Sequence, residues 1–418
     1  MDGFRIEGGA RLSGTIPVSG SKNAVLPMLC ATILAPGLYR IENVPILRDV
    51  VTLSTLLRTL GIRVAREGHT LLVDSTRTVP NEAHYDLVRT MRASSYVLGP
   101  LLARFGHARV SLPGGCAWGP RPIDFHLKAM EALGATVRLD HGTIDAKGSP
   151  LRGAEIRFPH SSVGATGNAV MAAVLAEGNS SIVNAAMEPE ISALCDFLNA
   201  MGARVRGIGT ERLEIEGVNE LRPADCRVIP DRIETGTYMV AGAITGGDVL
   251  LKDAEPGHLD AVIAALREAG VEIAVDGKEI RVRGTGEFRP LEVRTEPYPG
   301  FPTDMQAQLM TLLLLASGTS AIEETIFPDR FKHVPELCRM GGSVRVEGNR
   351  ALIRGVPGLT GATVMASDLR ASAALVLGGL VASGTSEVSR VYHIDRGYER
   401  IEEKLSALGA RIWRVRRG

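Results

Sequence analysis

An α/β (α+β) fold of two domains, built from six copies of one unit with three copies per domain, is predicted by three periodic signals in this sequence. The first is a helix end, a Gly and a strand, recurring about every 70 residues. It reads Leu60-Gly61-Ile62, Leu133-Gly134-Ala135, Met201-Gly202-Ala203, Ala269-Gly270-Val271, Met340-Gly341-Gly342 and Leu408-Gly409-Ala410. The second is a Gly shortly before an aliphatic strand residue, as in Gly37/Ile41, Gly106/Val110, Gly178/Ile182, Gly247/Leu251, Gly318/Ile322 and Gly384/Val388. The third is a small-residue apolar helix upstream of each of these. A repeated scaffold whose helix entrances are polar and all different suggests a site assembled from several units.

Each unit reads as helix, strand, helix, Gly, strand, strand. In the third unit the first helix runs from about Gly164 to Ala176 and stops at Gly178, and Ser180 to Asn184 is a strand. From Glu190 to Met201, Ile191, Leu194, Phe197 and Leu198 keep helical spacing until Gly202 stops the helix. Arg204 to Arg206 and Leu213 to Glu216 are then two strands joined by a turn. The first helix is apolar nearly all round and should be buried, while the second is amphipathic and should lie outside. Buried helices with partly solvated sheets make an inside-out α/β barrel.

The N-terminal segment is out of phase. Phe4-Arg5-Ile6-Glu7-Gly8 resembles Leu213-Glu214-Ile215-Glu216-Gly217, which closes the third unit, yet no helices precede it. The C-terminus stops just before such a strand is due. Residues 1–21 are therefore expected to complete the sixth unit. The expected domains are 22–229 and 230–418 plus 1–21, with crossings near Ser21 and Ile229 acting as a hinge beside a cleft.

Composition narrows the function. The 418 residues exceed one ordinary core, and Lys+Arg and Asp+Glu both number 47, so no net charge draws the chain to nucleic acid or membrane. Aromatics at 4% leave little for a base-stacking platform. Five cysteines without CxxC spacing argue against a disulfide framework or zinc site and fit a reducing compartment. The N-terminus lacks the pattern of a secretory signal, and no stretch reaches membrane-spanning length, so a cytoplasmic location is expected.

The helix entrances are Ser21-Lys22-Asn23, Met91-Arg92-Ala93-Ser94, Ser161-Ser162-Val163-Gly164, Asp231 to Thr235, Pro302-Thr303-Asp304 and Ser367-Asp368-Leu369-Arg370. Their Ser, Thr and Asp residues suit N-caps. Cations at the positive end of a helix dipole are disfavoured, so Lys22, Arg92 and Arg370 point to an anion held there. The loop from Leu112 to Pro122 departs furthest from the repeat, with Cys116, Trp118 and Arg121 among Gly and Pro. Cys116 alone among the cysteines sits in a polar, Arg-containing loop that would adjust its pKa. Cys30, Cys195 and Cys338 fit apolar helix patterns and read as inert core, and Cys226 as structural. Arg330 and Arg396 follow strands at equivalent places in units five and six. Glu188 and Glu190 occupy the matching place in unit three and read as a solvated helix start. The His residues show no metal-binding spacing, so no metal site is expected, and no GxGxxG or Walker loop is present.

Ser21 to Ala24, Thr90 to Ser94, Pro113-Gly114-Gly115-Cys116, Gly119 to Pro122, Pro230 to Gly236, Phe301 to Gln308, His333 to Leu337, Asp368 to Ser372 and His393 to Glu399 together resemble one family over essentially the whole chain. It is the UDP-N-acetylglucosamine 1-carboxyvinyltransferase family, the bacterial enolpyruvyl transferases that open peptidoglycan precursor synthesis. The resemblance implies transfer of the enolpyruvyl group of phosphoenolpyruvate to the sugar 3′-hydroxyl of UDP-N-acetylglucosamine, with release of phosphate, by addition and elimination through a tetrahedral ketal. It implies small-molecule substrates, no cofactor and no obligatory protein, nucleic-acid or membrane partner.

By the same resemblance Cys116 is the general acid at the methylene carbon and the target of fosfomycin, and Asp304 is the base at the 3′-hydroxyl. Lys22, Arg121 and Arg396 hold the phosphate region, with Arg330 and Arg370 nearer the carboxylate. Asn23 and Ile326 touch the amino sugar. Arg92, Arg121, Pro122, Ile123, Asp124, Phe125, His160, Ser161, Ser162 and Val163 line the nucleotide. His160 stands where many members carry Lys, and Ala117-Trp118 departs from the usual loop tip. The competing readings are enolpyruvyl transfer to another acceptor of the shikimate 3-phosphate type, and a catalytically silent sugar-nucleotide binding protein.

Overall fold

The computed structural model describes residues 2–79, 91–112 and 123–416, the Arg92 side chain excepted. The chain forms two compact units, Gly20–Ile229 and Met1–Ser19 with Pro230–Gly418, each with its own hydrophobic core.

In Gly20–Ile229 the helices Lys22–Ala31 and Val163–Ala173 are lined almost wholly by buried residues, and Leu98–Phe105 buries its first five. Their counterparts in the other unit are Arg232–Ile244, Gln306–Leu313 and Leu369–Val381, which pack on one another. The amphipathic helices, such as Arg48–Thr59, Pro189–Ala200 and Asp260–Glu268, bury one face only. The sheets bury alternate residues, as in Arg212–Glu216 and Glu279–Arg283, so one face meets water. Apolar content all round the inner helices thus produces the inside-out arrangement.

The helix-stopping glycines behave alike. Gly61, Gly134, Gly202, Gly270, Gly341 and Gly409 all have φ between 79° and 102°, the left-handed conformation that ends a helix.

The structure departs from the three-strand unit in one respect. Five of the six sheets have four strands among the described residues, and the fourth pairs in parallel with the strand that follows the inner helix. Glu155–Arg157, Glu292–Arg294 and Thr363–Met365 each precede the inner helix of their own unit. At the two crossings the assignment is exchanged. Ser13–Pro17 precedes the first inner helix but pairs with Asp248–Lys252 of the fourth unit. Cys226–Arg227 precedes the fourth inner helix but pairs with Leu38–Glu42 of the first. Each compact unit therefore closes its own set of sheets. The strand Asp2–Glu7 lies between Thr385–Ser389 and Arg411–Arg416, antiparallel to both, and completes the sixth sheet.

Two side-chain expectations are corrected. Cys338 is exposed on the helix Val334–Arg339, where only Val334 and Leu337 are buried. Glu190 is 2% exposed rather than solvated, in the first turn of a helix whose buried face it shares with Ile191 and Leu194. Cys30 and Cys195 are buried as expected, and burial pushes the Cys195 thiol up to about 12.

Candidate active site

Three of the residues singled out in the sequence converge within the unit that carries both termini. Pro302 starts a short 3-10 turn, Thr303–Met305, that runs into the buried helix Gln306–Leu313 and sets Asp304 at its entrance. Asp368 caps the neighbouring helix by accepting from the backbone N–H groups of Arg370 (2.9 Å) and Ala371 (3.0 Å). The cap fixes Arg370 in the first turn, and these two helices pack together. Arg330 arrives from the segment after the strand Thr319–Glu323.

Arg330 Nη2 lies 2.7 Å from Asp304 Oδ1, and Arg370 Nη2 lies 2.7 Å from Oδ2. The Arg330 and Arg370 side chains are 7% and 5% exposed, Asp304 25%. Burial works to raise the Asp304 carboxyl, but Arg370 and Arg330 together hold it well below the usual carboxylate range. The sequence reading placed a ligand anion beside Arg370. Here the anion is the carboxylate of Asp304. Arg330 also lies beside His333, whose burial and cationic neighbour push its pKa down to about 3, so that imidazole is neutral.

Further residues that the sequence reading assigned no role complete the cluster. Arg370 Nη1 donates to the Tyr398 hydroxyl (3.2 Å), which is 2.8 Å from Thr237 Oγ1, and Gln308 Nε2 donates to both hydroxyls (3.3 and 3.2 Å). Thr303 Oγ1 accepts from Arg330 Nη1 (2.9 Å) and donates to Glu324 Oε2 (2.8 Å). Tyr398 belongs to a motif already quoted, whereas Glu324 resembles any strand-end carboxylate.

Lys22 and Asn23 open the helix Lys22–Ala31 in the other unit, where Ser21 caps by accepting from the Ala24 N–H. Lys22 Nζ is 3.4 Å from the buried carboxylate of Asp49 on the next helix. Arg396 ends the 3-10 turn Val391–Arg396 and is half-buried. The preceding residue, Asp395, is gripped by Arg414 through Nη1 (3.0 Å) and Nη2 (2.6 Å). Ile326 is half-buried and donates its N–H to Glu324 Oε1 (2.9 Å).

The nucleotide-lining candidates also gather. Phe125 lies in the helix Asp124–Ala132, directly after Ile123. Its ring stacks on Phe158 at 6.0 Å and meets the exposed His160 ring edge-on at 4.8 Å. Ser161 follows, and Ser162 caps the helix that begins at Val163. Asn168 of that helix donates to Ser95 O (3.0 Å), is 2.8 Å from His126 Nδ1, and accepts from the Gly99 N–H (2.8 Å). This ties the two entrances together. Cys116, Arg121 and Pro122, and the Arg92 side chain, lie outside the described residues.

Known proteins are similar to this chain over its whole length. The chain is 55% identical to a UDP-N-acetylglucosamine 1-carboxyvinyltransferase of Geobacter metallireducens, covering 100% of both chains. It is 57% identical to one of Anaeromyxobacter dehalogenans, again over 100% of both. The chain belongs to the UDP-N-acetylglucosamine 1-carboxyvinyltransferase family. Residues 6–405 also match the broader family described as EPSP synthase (3-phosphoshikimate 1-carboxyvinyltransferase). Among solved structures, the enolpyruvyl transferase NikO from Streptomyces tendae superposes with a TM-score of 0.91 at 27% identity, covering 100% of this chain and 99% of NikO. The EPSP synthase of Acinetobacter baumannii superposes at 0.77 with 18% identity over 100% of both chains, a likeness of fold alone. Membership in this family fits the fold class expected from the repeats.

Proposed function

We propose that this protein transfers the enolpyruvyl group of phosphoenolpyruvate to the 3′-hydroxyl of UDP-N-acetylglucosamine and releases phosphate. The observation that carries the proposal is the Asp304 carboxylate held between Arg330 and Arg370, in a chain 53–57% identical to curated members of the family. Phosphoenolpyruvate brings a carboxylate and a phosphate, and guanidiniums bind both with two parallel hydrogen bonds.

In the proposed addition step the sugar 3′-oxygen attacks C2 of phosphoenolpyruvate, and the Cys116 thiol gives its proton to C3. The hydroxyl proton passes to Asp304. Elimination then returns a C3 proton to the Cys116 thiolate and breaks the C2–O bond to phosphate, which leaves with the proton held by Asp304, restoring the double bond in the product. Lys22, Arg121 and Arg396 take the phosphate, and Arg330 and Arg370 take the carboxylate. Asn23 and Ile326 contact the amino sugar. Arg92, Arg121 to Phe125 and His160 to Val163 hold the nucleotide.

Paired with both guanidiniums, Asp304 is too weak a base for a hydroxyl proton. An incoming carboxylate that takes over Arg330 and Arg370 raises its proton affinity, so substrate binding itself prepares the base. The same reading puts the reaction in the cytoplasm, at the opening of peptidoglycan precursor synthesis. The test is phosphate release from phosphoenolpyruvate with and without UDP-N-acetylglucosamine, for wild type and Cys116→Ala. Acceptor-dependent release that Cys116→Ala abolishes supports the proposal. No release from the wild type, or undiminished release from Cys116→Ala, overturns it.

A further inference from the structure

We infer that Glu324 is a positioning residue for this reaction, acting on Arg330 and Asp304 through the hydroxyl of Thr303. The inference rests on the function proposed above. Glu324 is fully buried just past the strand Thr319–Glu323. Its Oε1 accepts from Thr295 Oγ1, from the Ile326 N–H and from the Phe327 N–H, each at 2.9 Å. Its Oε2 accepts from Thr303 Oγ1 at 2.8 Å. A carboxylate can only accept, so it commits the single Thr303 proton to itself.

Thr303 is then left with its lone pairs facing outward, and one receives Arg330 Nη1 at 2.9 Å. The other arm of that guanidinium reaches Asp304 Oδ1 at 2.7 Å. The result is a directed chain, Glu324 to Thr303 to Arg330 to Asp304, whose polarity is set by the buried carboxylate. The same carboxylate anchors the backbone of Ile326, a proposed sugar contact, and so fixes the segment from which Arg330 springs. Replacing Glu324 by Gln puts an amide donor where four donors now converge, and the Thr303 hydroxyl facing it can accept instead, which removes the reason for its proton to point inward.

The test is steady-state phosphate release with both substrates for Thr303→Val, Thr303→Ser, Glu324→Gln and the Thr303→Val/Glu324→Gln double variant, with thermal melts of each. Valine keeps the shape of threonine and removes only the hydroxyl, so Thr303→Val decides the matter even if Glu324→Gln fails to fold. The expected result is a fall in kcat of roughly 10- to 100-fold for Thr303→Val, the cost of one charge-assisted hydrogen bond at the reacting groups. Its melting temperature falls by a few degrees, because Glu324 Oε2 loses its partner, and Thr303→Ser restores both the melting temperature and most of the activity. The double variant is no worse than the poorer single, because both changes break one chain. Full activity in Thr303→Val, or losses that multiply in the double variant, overturns the inference while leaving the proposed function standing. A wild type that releases no phosphate sinks both.

Discussion

Asp304 has two opposed duties, balancing two buried cations and accepting a proton, and its variants separate them. Asp304→Asn should lower kcat by roughly 10²- to 10⁴-fold, the usual worth of a general base. UDP-N-acetylglucosamine binding, read by calorimetry, should survive. Its carboxyl also sets a pH dependence of stability. The folded pKa lies below the unfolded value of about 3.9, so the stabilisation is complete above about pH 4 and is lost as pH falls through the folded pKa. The gap in melting temperature between wild type and Asp304→Asn should therefore narrow below that pH. A gap that stays constant down to acid would mean the carboxylate adds nothing through its charge. The sequence marked Arg370 and Asp304 because each breaks or fills a helix-start rule. Their pairing was not legible, since the two are 66 positions apart and meet only when the inner helices pack. Glu324 was invisible for another reason. It stands next to Glu323, of identical chemistry and half-exposed, and only the fold buries one of them completely.

Helix stops and strand ends use glycine for two different physical reasons, and alanine substitution distinguishes them. At Gly202 an added Cβ meets nothing within 4 Å, and φ is +102°. Gly202→Ala should cost only the left-handed backbone penalty, about 1–2 kcal/mol. At Gly355 the added Cβ would lie 1.7 Å from the carbonyl oxygen of Ala316. Backbone must move there, so Gly355→Ala should destabilise by clearly more, about 3 kcal/mol or above. Urea melts of the two variants check the order, and equal losses would contradict it. The sequence showed most elements because inner helices, outer helices and glycine stops recur in register. It did not show the parallel edge strands. Cys226–Arg227 and Glu155–Arg157 span two and three residues, too short for a period-two pattern to emerge. Cys338 was misassigned because its six-residue helix is too short to define a face by periodicity.

At the scale of the molecule, the odd phase of the first residues foretold their pairing with the last. Phe4 and Ile6 are fully buried in that sheet, between strands from residues 385–389 and 411–416. Removing residues 2–7 empties two core positions, each worth about 2–5 kcal/mol. The truncated protein should therefore melt far lower or fail to accumulate in soluble form. A truncation that melts with the wild type would show the strand to be dispensable. What the sequence could not show was the exchange of edge strands at the crossings, because an edge strand looks the same whichever sheet receives it. That exchange bears on how the chain is made. Synthesis proceeds from the N-terminus, so Asp2–Glu7 and Ser13–Pro17 are made well before their partners at 248–252, 385–389 and 411–416, which all lie in the second half of the sequence. The ribosome therefore releases two sticky strands that must wait, unpaired, while the intervening body of Gly20–Ile229 is completed and can fold around its own closing strand. Strands made early in synthesis are thus among the last to find their place.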